Sequence, residues 1–187
     1  MSQSLLLKIV RESITEVFEA RNTINREQLI QDYPVLQEPI ASFVNIYLDD
    51  ELRGSHGSVF PAGSLLEDII HNAKAAAFED PRFSPLKTSE YLQAKVELSL
   101  LTPPKEISYQ IIDEIKKQVT PNQDGLIISL GKNHSAFLPQ VWSQFNDFDS
   151  FFSRLLAEAK LTLHDMSSHP KISIFQIEKQ IDEPILE

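Results

Sequence analysis

The sequence contains no cysteine. That excludes disulfides, zinc–thiolate and iron–sulfur ligation and a thiolate nucleophile, and it fits a reducing compartment. Positive charge is scarce: 17 Lys+Arg against 27 Asp+Glu leave a net charge of −10 and a pI near 5.0. This is the sign opposite to that of a general nucleic-acid binder, and the longest basic run is Lys116-Lys117. Long apolar runs are missing as well, since the longest is Ala75 to Phe78, against the roughly 20 residues that cross a bilayer. The opening MSQSLLLKIVRES lacks a basic leader and interrupts its apolar stretch with Lys8 and Arg11, so the expectation is a cytoplasmic protein without a signal peptide. No GxGxxG, Walker A loop, EF-hand or HExxH pattern occurs, and no cofactor is assigned.

What remains is an ordinary globular composition. The chain has 187 residues, 42% of them apolar and 24% charged, enough to bury about 70% of its unfolded surface. Leu6, Ile9, Val10, Ile14, Val17 and Phe18 recur at three- and four-residue steps and predict a helix over residues 5–18. A short second helix is predicted around Asn25–Asp32, followed by an extended connection framed by Pro34 and Pro39. Alternation of Val44, Ile46 and Leu48 predicts a strand over 42–48, and Asp49-Asp50-Glu51 a polar turn into a second strand over 52–60. Within that strand Gly54 and Gly57 would let the backbone bend and approach a ligand.

Ser64-Leu65-Leu66-Glu67 has the form of a capping box and opens a helix ending near Phe78. Lys95–Leu101 alternates as a half-buried strand, residues 107–119 return to helical spacing, and Gly125–Leu130 with Ser135–Leu138 predict a hairpin across a four-residue loop. A helix around Phe148–Ala159 and a strand over 172–177 complete the order, with Ile181 and Pro184-Ile185-Leu186 docking or fraying at the end. The fold class expected is α+β: one two-lobed domain over residues 1–187 with a mixed, mainly antiparallel β-sheet packed by amphipathic helices, the lobes joining near residues 102–121.

Three segments carry a resemblance. They are Leu52-Arg53-Gly54-Ser55-His56-Gly57, the long string Asn72-Ala73-Lys74-Ala75-Ala76-Ala77-Phe78-Glu79-Asp80-Pro81-Arg82-Phe83-Ser84-Pro85-Leu86, and Phe137-Leu138-Pro139-Gln140-Val141. In order and spacing the chain resembles the AMMECR domain family, and in particular the bacterial members known as AmmeMemoRadiSam system protein A. The usual hexapeptide of the family is Leu-Arg-Gly-Cys-Ile-Gly, so this chain departs from it at Ser55 and His56. It also lacks the usual Lys-Ala-Gly-Leu near Ala159-Lys160-Leu161. The resemblance implies a two-lobed α+β fold and a family without an established activity. It also implies, as partners, a Memo-like protein and a radical S-adenosylmethionine protein.

The leading functional expectation is an accessory domain that binds a small anionic ligand or a partner segment in a cleft at Arg53, Gly54, Ser55, His56 and Gly57. The guanidinium of Arg53 offers bidentate donors to a carboxylate or phosphate, and Asn72, Asp80, Arg82 and Gln140 are the further residues of that cleft. The competing reading pairs Arg53 with an acidic neighbour, makes the glycines devices of packing, braces the Asp80-Pro81-Arg82-Phe83 loop internally and places Phe137–Trp142 in the core. Asn72 is expected to face the sheet and Lys74 the solvent. An enzyme using Ser55 and His56, as a transferase or hydrolase, is the alternative function, although neighbours on a strand point to opposite faces. Gly54-Ser55-His56-Gly57 satisfies the GxxG of nucleic-acid clamps, but no basic residue lies inside it. The five histidines are scattered, His164, Asp165 and His169 being the densest group, and no metal site is assigned.

Overall fold

The computed structural model describes residues 4–61 and 63–185. The first three residues and Leu186, on which parts of the expectations for the two ends fell, lie outside them. The fold is α+β, and the chain divides into two compact units: residues up to Leu100 together with those from Glu178 onward, and Leu101–Ile177. Each unit has its own four-stranded sheet and its own apolar core, so the one sheet expected from sequence is two.

The first unit opens with α1 (Leu5–Phe18), where Ser4 caps the helix by accepting from the Leu7 N–H. Next come α2 (Arg26–Asp32) and, in place of an extended connection, a 3-10 turn over Pro34–Gln37. Proline is at home in the first turn of a helix because it has no N–H to leave unsatisfied there. β1 (Ser42–Leu48) and β2 (Glu51–Gly57) form an antiparallel hairpin whose turn residues Asp49 and Asp50 both have positive φ, 49° and 62°. That pair of dihedrals belongs to the primed turns, whose twist matches the strands they join. α3 (Leu65–Phe78) follows, capped by the Ser64 hydroxyl accepting from the Glu67 N–H. The Glu67 carboxylate accepts from Arg26 Nε at 2.9 Å. α4 (Thr88–Gln93) has no periodicity to announce it, and β3 (Lys95–Leu101) runs as expected.

The second unit contains β4 (Lys105–Ile107), α5 (Ile112–Gln118), β5 (Gly125–Leu130), β6 (Asn133–Phe137), α6 (Phe148–Glu158) and β7 (Lys171–Phe175). The helix predicted from residue 107 starts five residues later, because Ile107 pairs with Ile172 in the sheet. The β5–β6 hairpin closes through two residues, with Leu130 opposite Asn133, not four. A last strand, β8 (Ile177–Asp182), was not foreseen and lies beside β3 as an edge of the first sheet. The strand orders are β2-β1-β3-β8 and β4-β7-β5-β6.

In the first core α3 packs on β1 and β2, and α1 packs on α3. Val44, Ile46, Val96 and Leu98 point from the sheet into this layer and are buried, each contributing about 1.5–3 kcal/mol of hydrophobic burial. Gly54 sets how close the helix comes: a Cβ there would lie 2.1 Å from the Ala76 carbonyl oxygen. Only a residue without a side chain allows that approach. Gly54→Ala should therefore lower stability by about 2–3 kcal/mol, read as a shift of the urea midpoint by circular dichroism; an unmoved midpoint would show that helix and strand are not in contact there.

Candidate functional site

β2 is the outer strand of the first sheet, and α3 lies along it with Ala76 over Gly54 and Asn72 beside His56. The side chains of β2 divide between the two faces of the sheet. His56 is on the α3 face, opposite Val44, and Ser55 is on the other, opposite Asn45.

On the α3 face a chain of buried polar groups ends at His56. Asp68 Oδ2 accepts from the Ser42 N–H at 2.8 Å, the Ser42 hydroxyl at 2.6 Å and Asn72 Nδ2 at 2.8 Å. Asn72 Nδ2 also lies 3.0 Å from the Ser42 carbonyl oxygen. A carboxylate and a carbonyl only accept, so the amide nitrogen of Asn72 must face them and its Oδ1 must face outward. Oδ1 lies 2.9 Å from His56 Nδ1, so Nδ1 carries the proton and donates. In neutral His56 the lone pair is then on Nε2, for which no hydrogen-bond partner occurs among the described residues. Ser42, Asp68 and Asn72 are all buried, and His56 is half-buried. The ring of the exposed His71 stands edge-on to that of His56, with centroids 5.2 Å apart and planes at 88°.

On the opposite face the Ser55 hydroxyl donates to Asn45 Oδ1 at 2.6 Å, and Asn45 Nδ2 donates to Glu97 Oε1 at 2.8 Å. Lys179 of β8 closes the row on the Glu97 carboxylate at 3.2 Å. The Ser55 proton thus goes to an amide oxygen, which is no base, while His56 is on the other side of the sheet. A Ser55/His56 nucleophile–base pair is excluded by this geometry.

Arg53 is not an open cation. Its Nε and Nη2 donate to the two oxygens of Glu90 at 3.2 and 3.0 Å, Nη2 also donates to the Ser84 carbonyl, and the guanidinium lies 5.7 Å from the centre of the Phe83 ring. Only 14% of the side chain is exposed. The hydrogen bonds from Arg53, with those from the Lys87 N–H, hold the Glu90 carboxyl below its ordinary range. Arg82 lies against the same Phe83 ring at 5.4 Å, but its fork is bound to Asp80, with Nε–Oδ1 2.9 Å and Nη2–Oδ2 2.7 Å. Asp80 also accepts the Ser55 N–H at 2.9 Å, a donor that the outer strand would otherwise leave unpaired. The fold therefore does bring Arg53 and Arg82 together, as two neutralised pairs flanking one ring. The expectation of an anion held by a free Arg53 is corrected by this pairing.

Gly54 and Gly57 do not expose backbone to a ligand: they admit the Ala76 carbonyl and the Phe43 ring, the latter 2.4 Å from a Cβ at position 57. Asn72 faces the sheet, whereas Lys74, expected in solvent, donates to the buried Glu16 at 2.8 Å. Gln140 belongs to the second unit, on an exposed corner of a 3-10 turn over Pro139–Gln144. The neighbouring Trp142 stacks on Phe151 at 3.5 Å and donates from Nε1 to the Asp124 carbonyl, which makes this segment a core anchor. Asp165 caps Thr162, and no group of three or more His, Asp or Glu side chains converges on a metal position among the described residues. Ser42, Asp68, Asn45, His71 and Glu90 were not singled out from sequence as site residues. The spacing of Asp68 and Asn72, one helical turn apart on the sheet side of α3, is the one local signal that could have found part of the network.

Two consequences are measurable. Arg53→Ala should lower stability by about 1–3 kcal/mol, as expected for charged hydrogen bonds left without a partner, and should shift the urea midpoint; an open ligand-binding arginine would leave the midpoint in place. The second concerns Asp80, whose carboxyl is held well below the ordinary range, chiefly by hydrogen bonds from the Arg82 side chain and further by the Arg82 and Ser55 N–H groups, against the opposing effect of burial. A carboxyl lowered in the folded state stabilises it at pH values above the unfolded value of about 3.9, and the contribution is lost as pH falls toward the folded value. Asp80→Asn should therefore be less stable than the native chain at about pH 7, with the gap closing in acid. A gap independent of pH would contradict the pairing.

The AMMECR1 family model matches residues 7–180. The chain is 34% identical to protein SSO0193 of Saccharolobus solfataricus over 164 residues, covering 84% of this chain and 70% of that protein. It is also 34% identical to protein MJ0810 of Methanocaldococcus jannaschii, covering 84% and 80%. The crystal structure of the uncharacterized protein PH0010 from Pyrococcus horikoshii superposes with a TM-score of 0.73 at 26% identity, over 97% of this chain and 92% of that one. These relatives are archaeal and lend no support to the narrower expectation of a bacterial member. Among the described residues no helix is long and apolar enough to cross a membrane. A family match over nearly the whole chain, together with relatives of this identity and coverage, shows that the chain belongs to the AMMECR1 family.

Proposed function

We propose that the chain acts as a ligand- and partner-binding domain, and that its working face lies where β2 meets α3, centred on His56. The observation that carries this reading is the Asp68–Asn72–His56 chain. A buried carboxylate and amide are costly, and apolar residues of similar volume would hold the helix to the sheet at least as well. Here they fix one tautomer of a half-exposed imidazole and present its Nε2 as an acceptor of fixed direction. The group recognised is accordingly a hydrogen-bond donor or a Lewis acid on the binding molecule. With Arg53 and Arg82 each neutralised, a small anion has less to bind than the sequence suggested.

The family resemblance supports a Memo-like protein and a radical S-adenosylmethionine protein as the partner classes. Catalysis through Ser55 is not part of this reading, because its hydroxyl and His56 face opposite sides of the sheet.

The test is calorimetric titration, in excess chelator, of the native chain with a Memo-like protein, a radical S-adenosylmethionine protein and a metabolite panel sorted by hydrogen-bond donors. His56→Ala should weaken whichever probe binds by about tenfold, the loss of roughly one hydrogen bond, and Ser55→Ala should leave it unchanged. Equal affinity of the native and His56→Ala chains for every probe would reject the face.

A further inference from the structure

We propose that the second unit holds a binding site for a small ω-amino acid, a molecule with an ammonium group and a carboxylate at the two ends of a short aliphatic chain. The site is a cavity of about 780 Å³ beside β4 and the end of β7, and all of its lining residues belong to the second unit. That volume is within the range of small-ligand pockets. His56 is not among the lining residues, so this site and the His56 face stand or fall independently.

One end of the cavity is marked by Asp124. The residue is buried, yet it forms no ion pair among the described residues: Oδ2 accepts the Thr120 N–H at 2.7 Å and Oδ1 accepts from Gln176 Nε2 at 2.9 Å. A carboxylate has about four acceptor positions, and neutral donors fill only part of them here. Other buried charges in the fold are treated differently. Arg11, Glu16, Asp80 and Glu97 each face an opposite charge at 3.2 Å or less, and one oxygen of Asp68 takes three donors. A buried carboxylate that borders a cavity without a cation of its own is completed by a cation from outside. Two amides make that cation one rich in N–H groups. Gln118 Nε2 donates to the Ser108 and Glu114 carbonyls at 3.0 and 2.9 Å, which leaves its Oε1 as an acceptor. Gln176 Nε2 is engaged by Asp124, which leaves a second. With the carboxylate, these acceptors match the N–H groups of a primary ammonium.

The other end is Lys105, which lines the cavity, is exposed and forms no ion pair among the described residues. Glu106, the remaining charged residue of the lining, is matched by Lys171 at 3.9 Å. Lys105 stands opposite Ile174 in the β4–β7 pairing, and Gln176, which reaches Asp124, is two residues further on, roughly 7 Å along the strand. An ammonium at Asp124 and a carboxylate at Lys105 therefore belong to opposite ends of one molecule, and Ile107 and Ile174 supply apolar lining for the chain between them. A plain alkylammonium would leave Lys105 unmatched, and a plain carboxylate would leave Asp124 so.

The experiment is isothermal titration of γ-aminobutyrate, δ-aminovalerate and ε-aminocaproate into the full-length chain at about pH 7, where both ends of each are charged, with pentylamine and valerate as probes that lack one charge. At least one of the three amino acids is expected to bind with one molecule per chain, pentylamine to bind about threefold or more weakly, and valerate not to bind. Asp124→Asn should weaken amino-acid binding by about tenfold or more, and Lys105→Ala, at an exposed position that leaves the fold intact, by about threefold. No binding of any of the three, or unchanged affinity in Asp124→Asn, overturns the site. Pentylamine bound as tightly as the amino acids, or Lys105→Ala without effect, overturns the ω-amino acid class. Asp124 also holds the Thr120 N–H, so circular dichroism checks the fold of its variant. Independently of that variant, the Gln176 side-chain amide signals in the nitrogen–proton spectrum of the native chain should move on saturation with the amino acid that binds, and unmoved signals overturn the site.

Discussion

The first unit depends on how closely α3 can lie on the backbone of β2. With no side chain at Gly54, the Ala76 carbonyl occupies the space a Cβ would need, and the small residues Ala73, Ala76 and Ala77 let the rest of the helix settle on the sheet. From that approach the remaining geometry follows. Asn72, one turn back along α3, comes within hydrogen-bond distance of His56, and Asp68, one turn further, reaches the start of β1. Just past the C-terminal end of the same helix, Asp80 meets the outer edge of β2 at the Ser55 N–H. A single steric condition thus aligns three polar contacts, two on β2 and one at the start of β1.

Electrostatics then decide which of these polar groups are left to interact with anything else. Low exposure makes an unpartnered charge expensive, so the shielded Arg53 is matched by Glu90, and the buried Asp80 by the more exposed Arg82. Glu16 shows the same rule on α1. Burial tends to raise its pKa, yet hydrogen bonds from the Ile24 and Thr23 N–H groups and from Lys74 bring it below the ordinary range. Arg11, also buried, has Asp182 and the carbonyls of Ala94 and Glu183 as partners and so fastens the segment that follows β8 to α1. Against this background of satisfied groups, the Nε2 of His56 differs in having an enforced direction without a hydrogen-bond partner among the described residues.

The second unit solves a different problem with different means. Its core is aromatic, with Trp142 stacked on Phe151 and Phe137 edge-on to the same ring, and the indole N–H is satisfied by the Asp124 carbonyl. Asp124 in turn accepts the Thr120 N–H and the Gln176 side chain. This accounts for the Phe137–Trp142 string as architecture, and Gln140, its polar member, points away from that core.

Elements with long periodic patterns were legible in the sequence. α1, α3, α6, β1 and β3 occupy nearly the residues that their apolar spacing indicates, because each buries one continuous stripe and repeats the signal over several turns or alternations. α4 and β8 were not legible, one being less than two turns long and the other an outer strand with half its residues in water, so neither carries a period. Glu90 was missed because it sits on α4, and the sense of Arg53 was misread with it. The residue types at the site, an arginine and two glycines around Ser55 and His56, were fixed by the sequence alone, as was the placement of Ser55 and His56 on opposite faces, since strand geometry admits nothing else. Which glycine meets a helix, which carboxylate neutralises which arginine, and that His71 stands beside His56 were decided only by tertiary structure. Those are contacts between elements, and nothing in the local order of side chains encodes the distance between one element and the next.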